Sequence, residues 1–149
     1  MSGSVLIDTS VLLRVLQPAH PHHTSASLAV LRLPLEGREL HIVPQNLYEL
    51  WVVATRSVNQ NGLGLAPVAV ESEIALFRST FRFDADTPAV CNAWEQLVVL
   101  YHVTGKPAHD ARLVAAMHVH GISAILTFDR TGFSRYDLIE VIDPATVAD

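Results

Sequence analysis

The sequence predicts an α/β fold, a central parallel sheet flanked by helices, and three observations carry that prediction. Short apolar runs rich in β-branched residues, Val5-Leu6-Ile7, Leu40 to Val43, Ser123 to Leu126 and Leu138 to Ile142, read as buried strands. Ala-rich segments with helical spacing lie between them, as strand-to-strand crossovers require. Two of the strands run out abruptly into polar residues, at Asp8-Thr9-Ser10 and at Thr127-Phe128-Asp129. In sheets of this kind ligands bind beyond the carboxyl ends of the strands, so both run-outs mark a functional edge.

A chain of 149 residues, 50% hydrophobic and 17% charged, is enough for one well-packed core and too short for two, so residues 1–149 are expected to form one domain. Apolar runs such as Leu97 to Leu100 are far too short to cross a bilayer, and Met1-Ser2-Gly3 lacks the basic and apolar regions of a signal peptide. The expectation is a cytoplasmic protein with no membrane partner. A single cysteine, Cys91, excludes an internal disulfide and a Cys-based zinc framework.

The formal net charge of -5 argues against a broad basic surface for nucleic acid, because such binding rests on neutralising many phosphates. It leaves open a site in which divalent cations offset clustered acids and themselves bind phosphate. Lys106 is the one lysine. The other basic side chains are arginines, suited to bidentate phosphate contact, although genomic base composition explains that bias equally well.

After the first strand, Val11 to Leu16 reads as a short helix, stopped by Pro18 and Pro21 in a loop from Gln17 to His23. His20, His22 and His23 have no carboxylate or thiolate at ligand spacing, and a solvated loop is favoured over a metal site. Thr24 or Ser25 starts a second helix that ends before Pro34. Pro44-Gln45-Asn46 opens a helix to about Val58 with Leu47, Leu50, Trp51 and Ala54 inward, and Asn59 to Gly64 is a turn-rich loop. Pro67 begins another helix, Phe81 to Phe83 reads as a short strand, and Thr87-Pro88 caps a helix through Tyr101 that buries Val90, Ala93, Leu97 and Leu100. Gly105 to Arg112 sets up a further helix, which Gly121 stops after His120. A loop from Asp129 to Tyr136 then leads to the last strand.

The right-handed crossover rule puts the carboxyl ends of these strands on one edge. Asp8 and Asp129 lie at strand ends, while Glu49 and Asp110 lie in the first turns of helices that begin at the same edge. Each has a plainer role, as a cap or as a charge complementing the helix dipole. Together they form an acidic cluster, and crowded carboxylates call for a hard divalent cation such as Mg²⁺ or Mn²⁺. Thr9, Ser10 and Thr127 supply hydroxyls to orient ligands or the water of a metal ion.

In this pattern the chain resembles the PIN-domain ribonucleases, best known as the VapC-type toxins of type II toxin–antitoxin pairs. The resemblance rests on Ile7-Asp8-Thr9-Ser10, Tyr48-Glu49, His109-Asp110-Ala111-Arg112 and Leu126-Thr127-Phe128-Asp129, in the family's order and at similar separations. It implies a PIN-like three-layer sandwich with a five-stranded or similar parallel sheet, and Mg²⁺- or Mn²⁺-dependent endonucleolytic cleavage of single-stranded RNA. It also implies a homodimer, often an antitoxin in the active-site groove, and catalytic and metal-binding roles for Asp8, Glu49, Asp110 and Asp129. Many relatives carry Asn where this chain has Asp129, and many carry a further acid before the phenylalanine, where this chain has Gly132. The resemblance therefore specifies one metal position more firmly than a second.

On this reading water activated by Asp8, Asp110 or Glu49 attacks a phosphodiester in line. Lys106, His109 and Arg112 are candidates for gripping phosphate, against the plainer role of solvated surface residues. Arg130 and Arg135, with Phe133 and Tyr136, flank Asp129 and could contact RNA, although core packing is the favoured role for the two aromatics. The rival class is a PIN-like module that binds RNA or protein without cutting, for which four acids serve no purpose. A Mg²⁺-dependent phosphatase would need a paired Asp-x-Asp, and Thr9 follows Asp8 instead.

Overall fold

The computed structural model describes residues 3–149. Five strands, β1 (Gly3–Ile7), β2 (Arg38–Ile42), β3 (Arg82–Phe83), β4 (Ala124–Leu126) and β5 (Glu140–Ile142), form one sheet in the order β3-β2-β1-β4-β5. Every pairing is parallel, with Val5 beside both Leu40 and Ala124. The helices are α1 (Thr9–Val15), α2 (His23–Leu35), α3 (Pro44–Thr55), α4 (Pro67–Thr80), α5 (Pro88–Leu100), α6 (Ala108–His120) and the short α7 (Arg130–Phe133) and α8 (Pro144–Ala148). Val58–Gln60 makes a single 3-10 turn.

The alternation of side chains along a strand divides the core into two layers. Val5 and Ile7 of β1, with Ala124 and Leu126 of β4, pack against α1, α2, and Leu50 of α3 and Phe77 of α4. Leu6 and Ile125 point the other way, into α5, α6 and Phe133. Both faces of the central strands are therefore dry, which is why these runs carry no polar alternation. The expected three-layer α/β arrangement is present, and β1 lies in its middle.

Several local expectations shift. The second helix continues through Pro34 to Leu35, because in a last turn the missing proline N–H forfeits only one helical bond. Trp51 is 38% and Leu100 68% exposed. The buried stripes run through Leu50 and Ala54 in α3 and through Val90 and Leu97 in α5; Trp51 sits one position off its stripe, and Leu100 is the last residue of α5. The loop after Asp129 contains α7, and a terminal α8 follows β5. Helix α3 ends at Thr55 rather than near Val58.

One buried amide binds the sheet edge to α3. The Asn46 side chain is 0% exposed; its Nδ2 donates to the Ile7 carbonyl at 3.0 Å and to Thr9 Oγ1 at 3.3 Å, and its Oδ1 accepts from the Val43 N–H at 2.8 Å. It thus ties the ends of β1 and β2 together while satisfying a free amide at the start of α3. Asn46→Ala leaves buried backbone groups without partners, at about 1–3 kcal/mol each. The variant should lose about 3 kcal/mol of unfolding free energy in urea, and a loss below about 1 kcal/mol would show that these bonds are easily replaced.

Candidate functional site

The carboxyl ends of β1 and β4 lie side by side, and the Asp8 N–H donates to the Leu126 carbonyl at 2.9 Å. Asp8 caps α1. Its Oδ1 accepts from the Thr9 N–H at 2.8 Å, and its Oδ2 accepts from Thr127 Oγ1 at 2.7 Å and Ser10 Oγ at 3.1 Å. Burial pushes its carboxyl above the usual carboxylate range against the pull of these donors, with Glu49 adding like-charge repulsion. The three hydroxyl residues singled out from the sequence therefore divide their work. Ser10 and Thr127 hold Asp8, and Thr9 reaches across to Glu49, donating to Oε1 at 2.7 Å.

Glu49, on α3, also accepts from Gln45 Nε2 at 3.0 Å. The same Gln45 nitrogen donates to the His109 carbonyl at 2.8 Å, so one amide aligns α3 with the start of α6. This fixes the amide's orientation, because flipping it would set oxygen against two acceptors. Gln45 Oε1 is left buried without a partner. Neither Gln45 nor Asn46 stood out in the sequence, and their position beside Glu49 at a helix start was the one available signal.

Asp110, in the first turn of α6, is half-buried and its carboxyl is pushed up to about 6. Burial is the largest cause, followed by the charges of Asp8, Asp129 and Glu49. Asp110 thus feels the other three sequence-predicted acids, and Asp8 feels Glu49. Asp129 caps α7: its Oδ1 accepts from the Gly132 N–H at 3.1 Å and Thr131 Oγ1 at 3.2 Å. A Cβ on Gly132 would stand 2.5 Å from Asp129 Oδ2 and 3.2 Å from Asp110 Oδ2. The Asp129 carboxylate therefore fills the space where the resemblance leads one to look for a further acid, and its Oδ2 shares that space with Asp110.

This donor set fits a hard divalent cation in its chemistry: carboxylate oxygens, flanking hydroxyls and a buried, unpartnered amide oxygen. Among the described residues no three acids, histidines or cysteines converge tightly enough to hold an ion between them. Mg²⁺ characteristically binds through one or two carboxylates and keeps several waters, so the fit does not depend on such convergence.

The candidate phosphate-binding residues separate. Lys106 and His109 line a shallow cleft of about 310 Å³ with Glu49 and Asp110. Arg112 turns away from it and pairs with Asp86 at 3.2 Å. Arg130 is exposed at the start of α7, while Phe133 and Tyr136 are buried in the core, the packing role favoured from the sequence. In the histidine loop, His22 stacks on Phe128 at 4.9 Å and His23 Nδ1 meets the Arg14 carbonyl at 2.9 Å. Among the described residues no helix is long and apolar enough to cross a membrane.

The family model described as "PIN domain" matches residues 5–138. Among solved structures the chain is similar to a Mycobacterium tuberculosis toxin, VapC20, described as cleaving the sarcin–ricin loop, with 21% identity over 92% of this chain and 98% of that chain and a TM-score of 0.64. It is also similar to a chain of the DNA-bound VapBC complex of Salmonella typhimurium, with 18% identity, 95% and 98% coverage and a TM-score of 0.69. PAE2754 of Pyrobaculum aerophilum shows 19% identity, 99% and 96% coverage and a TM-score of 0.61. No curated protein matches the chain by sequence.

The raised Asp110 pKa has a stability consequence. Between its ordinary 3.8 and about 6, the native state holds this proton more tightly than the unfolded state, so native stability falls as pH rises through that window and then levels off. Asp110→Asn removes this share of the cost. In EDTA the variant should melt above wild type at pH 7.5, with the gap closing towards pH 4. Equal melting temperatures at pH 7.5 would show that the carboxylates do not crowd one another.

Proposed function

The chain belongs to the PIN domain family, and from that premise we propose that it is a Mg²⁺- or Mn²⁺-dependent endoribonuclease cutting single-stranded RNA, the toxin of a toxin–antitoxin pair. The observation that carries the reading is the gathering of four acids at the carboxyl edge of the sheet, where Thr9 links Asp8 to Glu49 and the carboxylates of Asp110 and Asp129 face the same space at Gly132. The similarity to a toxin described as cleaving the sarcin–ricin loop supports RNA as the substrate class. Similarity to chains of VapBC complexes supports an antitoxin partner.

In this mechanism Asp8, Glu49, Asp110 and Asp129 line the site, and a metal ion there would be held by one or two of these carboxylates and completed by water. A bound divalent ion supplies a lowered water pKa and offsets charge on the attacked phosphodiester. Asp8 is the fixed element, its two oxygens already held by hydroxyls and a backbone N–H. Thr9 and Gln45 aim Glu49. Asp8, Glu49 and Asp110 are the candidates for taking the proton from the attacking water. Lys106 and His109 steady the phosphate in the cleft they share with Asp110, and Arg130 meets the strand on the far side of Asp129.

Two interactions belong to the same reading. An acidic groove attracts an arginine side chain, so an antitoxin inhibits by placing a guanidinium among the carboxylates in competition with metal. Tyr48, Trp51 and Val52 leave an exposed apolar face on α3, and we assign it to a homodimer contact.

Losing a supporting residue around a metal costs about 10–100-fold in many enzymes, so Asp8→Asn should lower cleavage of a single-stranded RNA by more than about a hundredfold with the fold retained. Unchanged cleavage by the pure variant would overturn the assignment. Saturating Mn²⁺ should raise the wild-type melting temperature by binding linkage, and the shift should shrink in Asp8→Asn. Identical shifts would place the metal elsewhere.

A further inference from the structure

Beside the acidic cleft, between the starts of α5 and α6, lies a second cavity of about 480 Å³. Its apolar wall comes from Val90 and Trp94 of α5. The indole N–H of Trp94 is already committed, donating to the Ala108 carbonyl at 2.8 Å, so the ring offers the cavity its face and edge rather than a donor. Across from it stands the Asp86–Arg112 pair at 3.2 Å, partly exposed, which presents a carboxylate acceptor and guanidinium donors side by side. His109 borders both spaces, lining this cavity and the cleft of Glu49, Lys106 and Asp110.

Apolar walls around one aromatic ring, with an acceptor and donors close together, match the base of an unpaired nucleotide. Such a base has a π-face to stack and an edge carrying both kinds of hydrogen-bonding group. A strand whose phosphodiester lies at Asp110 passes His109 and brings a neighbouring base to this opening. We propose that the cavity is a base-binding subsite for a nucleotide flanking the scissile phosphodiester, a proposal that rests on the ribonuclease reading and gives it a source of substrate selectivity. Arg112 then serves the base through its pairing with Asp86 rather than gripping phosphate.

The chain's one cysteine, Cys91, is exposed and lines the cavity, which provides a probe. In EDTA, where no cleavage occurs, N-ethylmaleimide should label Cys91 several-fold more slowly once a short single-stranded RNA saturates the protein by fluorescence anisotropy. Cys91→Trp, at an exposed helix position, fills the cavity, and Cys91→Ser leaves it open. With Mn²⁺, Cys91→Trp should raise KM about tenfold at nearly constant kcat, while Cys91→Ser behaves as wild type. A series of RNAs with one abasic nucleotide moved along the sequence should show, for wild type, a matching KM increase at a single position beside the cut. Cys91→Trp should show no further increase there.

If wild type cuts no RNA, the functional reading falls, and slowed labelling by RNA still supports the subsite. If wild type cuts RNA but the abasic series is flat and Cys91→Trp keeps the wild-type KM, the subsite is overturned and the ribonuclease reading stands. Unslowed labelling at RNA saturation overturns the subsite in either case. So does protection of Cys91 by an antitoxin peptide alone.

Discussion

Asp8 is a carboxylate withdrawn from water at the end of the central strand, and the rest of the sheet edge is arranged around the need to keep it charged. Burial alone drives its proton affinity up, and the opposing pull comes from Thr127, Ser10 and the Thr9 N–H. Those donors come from the end of β4 and from the helix that Asp8 caps. The bond from Thr127 spans 119 residues of sequence, so the site's charge and the pairing of β1 with β4 support each other. Loss of a donor would raise the electrostatic cost of a charge that the fold cannot move elsewhere.

Around this fixed point the other acids are held with decreasing firmness. Glu49 accepts two side-chain hydrogen bonds, from Thr9 and Gln45. Asp129 accepts two bonds at one oxygen and leaves the other towards Asp110. Asp110 itself stands half-buried among three negative neighbours. The gradient runs from a carboxylate bound at both oxygens to one whose proton affinity is set by its burial and its three negative neighbours.

The fold and the four acids were legible because each depends on a local signal: an apolar run that stops at an acid, or a proline or glycine that opens a helix beside one. What escaped depends on contacts between distant segments. Asn46 looks like an ordinary helix-start residue until β1 ends beside it, and Gln45 acquires its role only when α6 begins opposite. Trp51 was placed inward because apolar spacing locates a stripe only to within one residue, about 100° of helix rotation, and Leu100 because it keeps the helical spacing although it is the last residue of α5. Arg112 followed a motif acid and was grouped with the phosphate-binding residues, yet its direction is set by Asp86, 26 positions earlier.

The strand order β3-β2-β1-β4-β5 puts the first of the five strands to be synthesised in the middle of the sheet. Its neighbour β2 follows within tens of residues, but β4 and Thr127 arrive near the end of the chain, roughly ten seconds later at about 5–20 residues per second. Until then one side of β1 is an open edge with unpaired backbone groups, a template for unwanted pairing. During the same interval Asp8 lacks Thr127, and Asp110 and Asp129 have yet to join it. The nascent domain therefore passes most of its synthesis without the assembled acidic edge. Whatever protects that first strand acts before the four carboxylates are brought together.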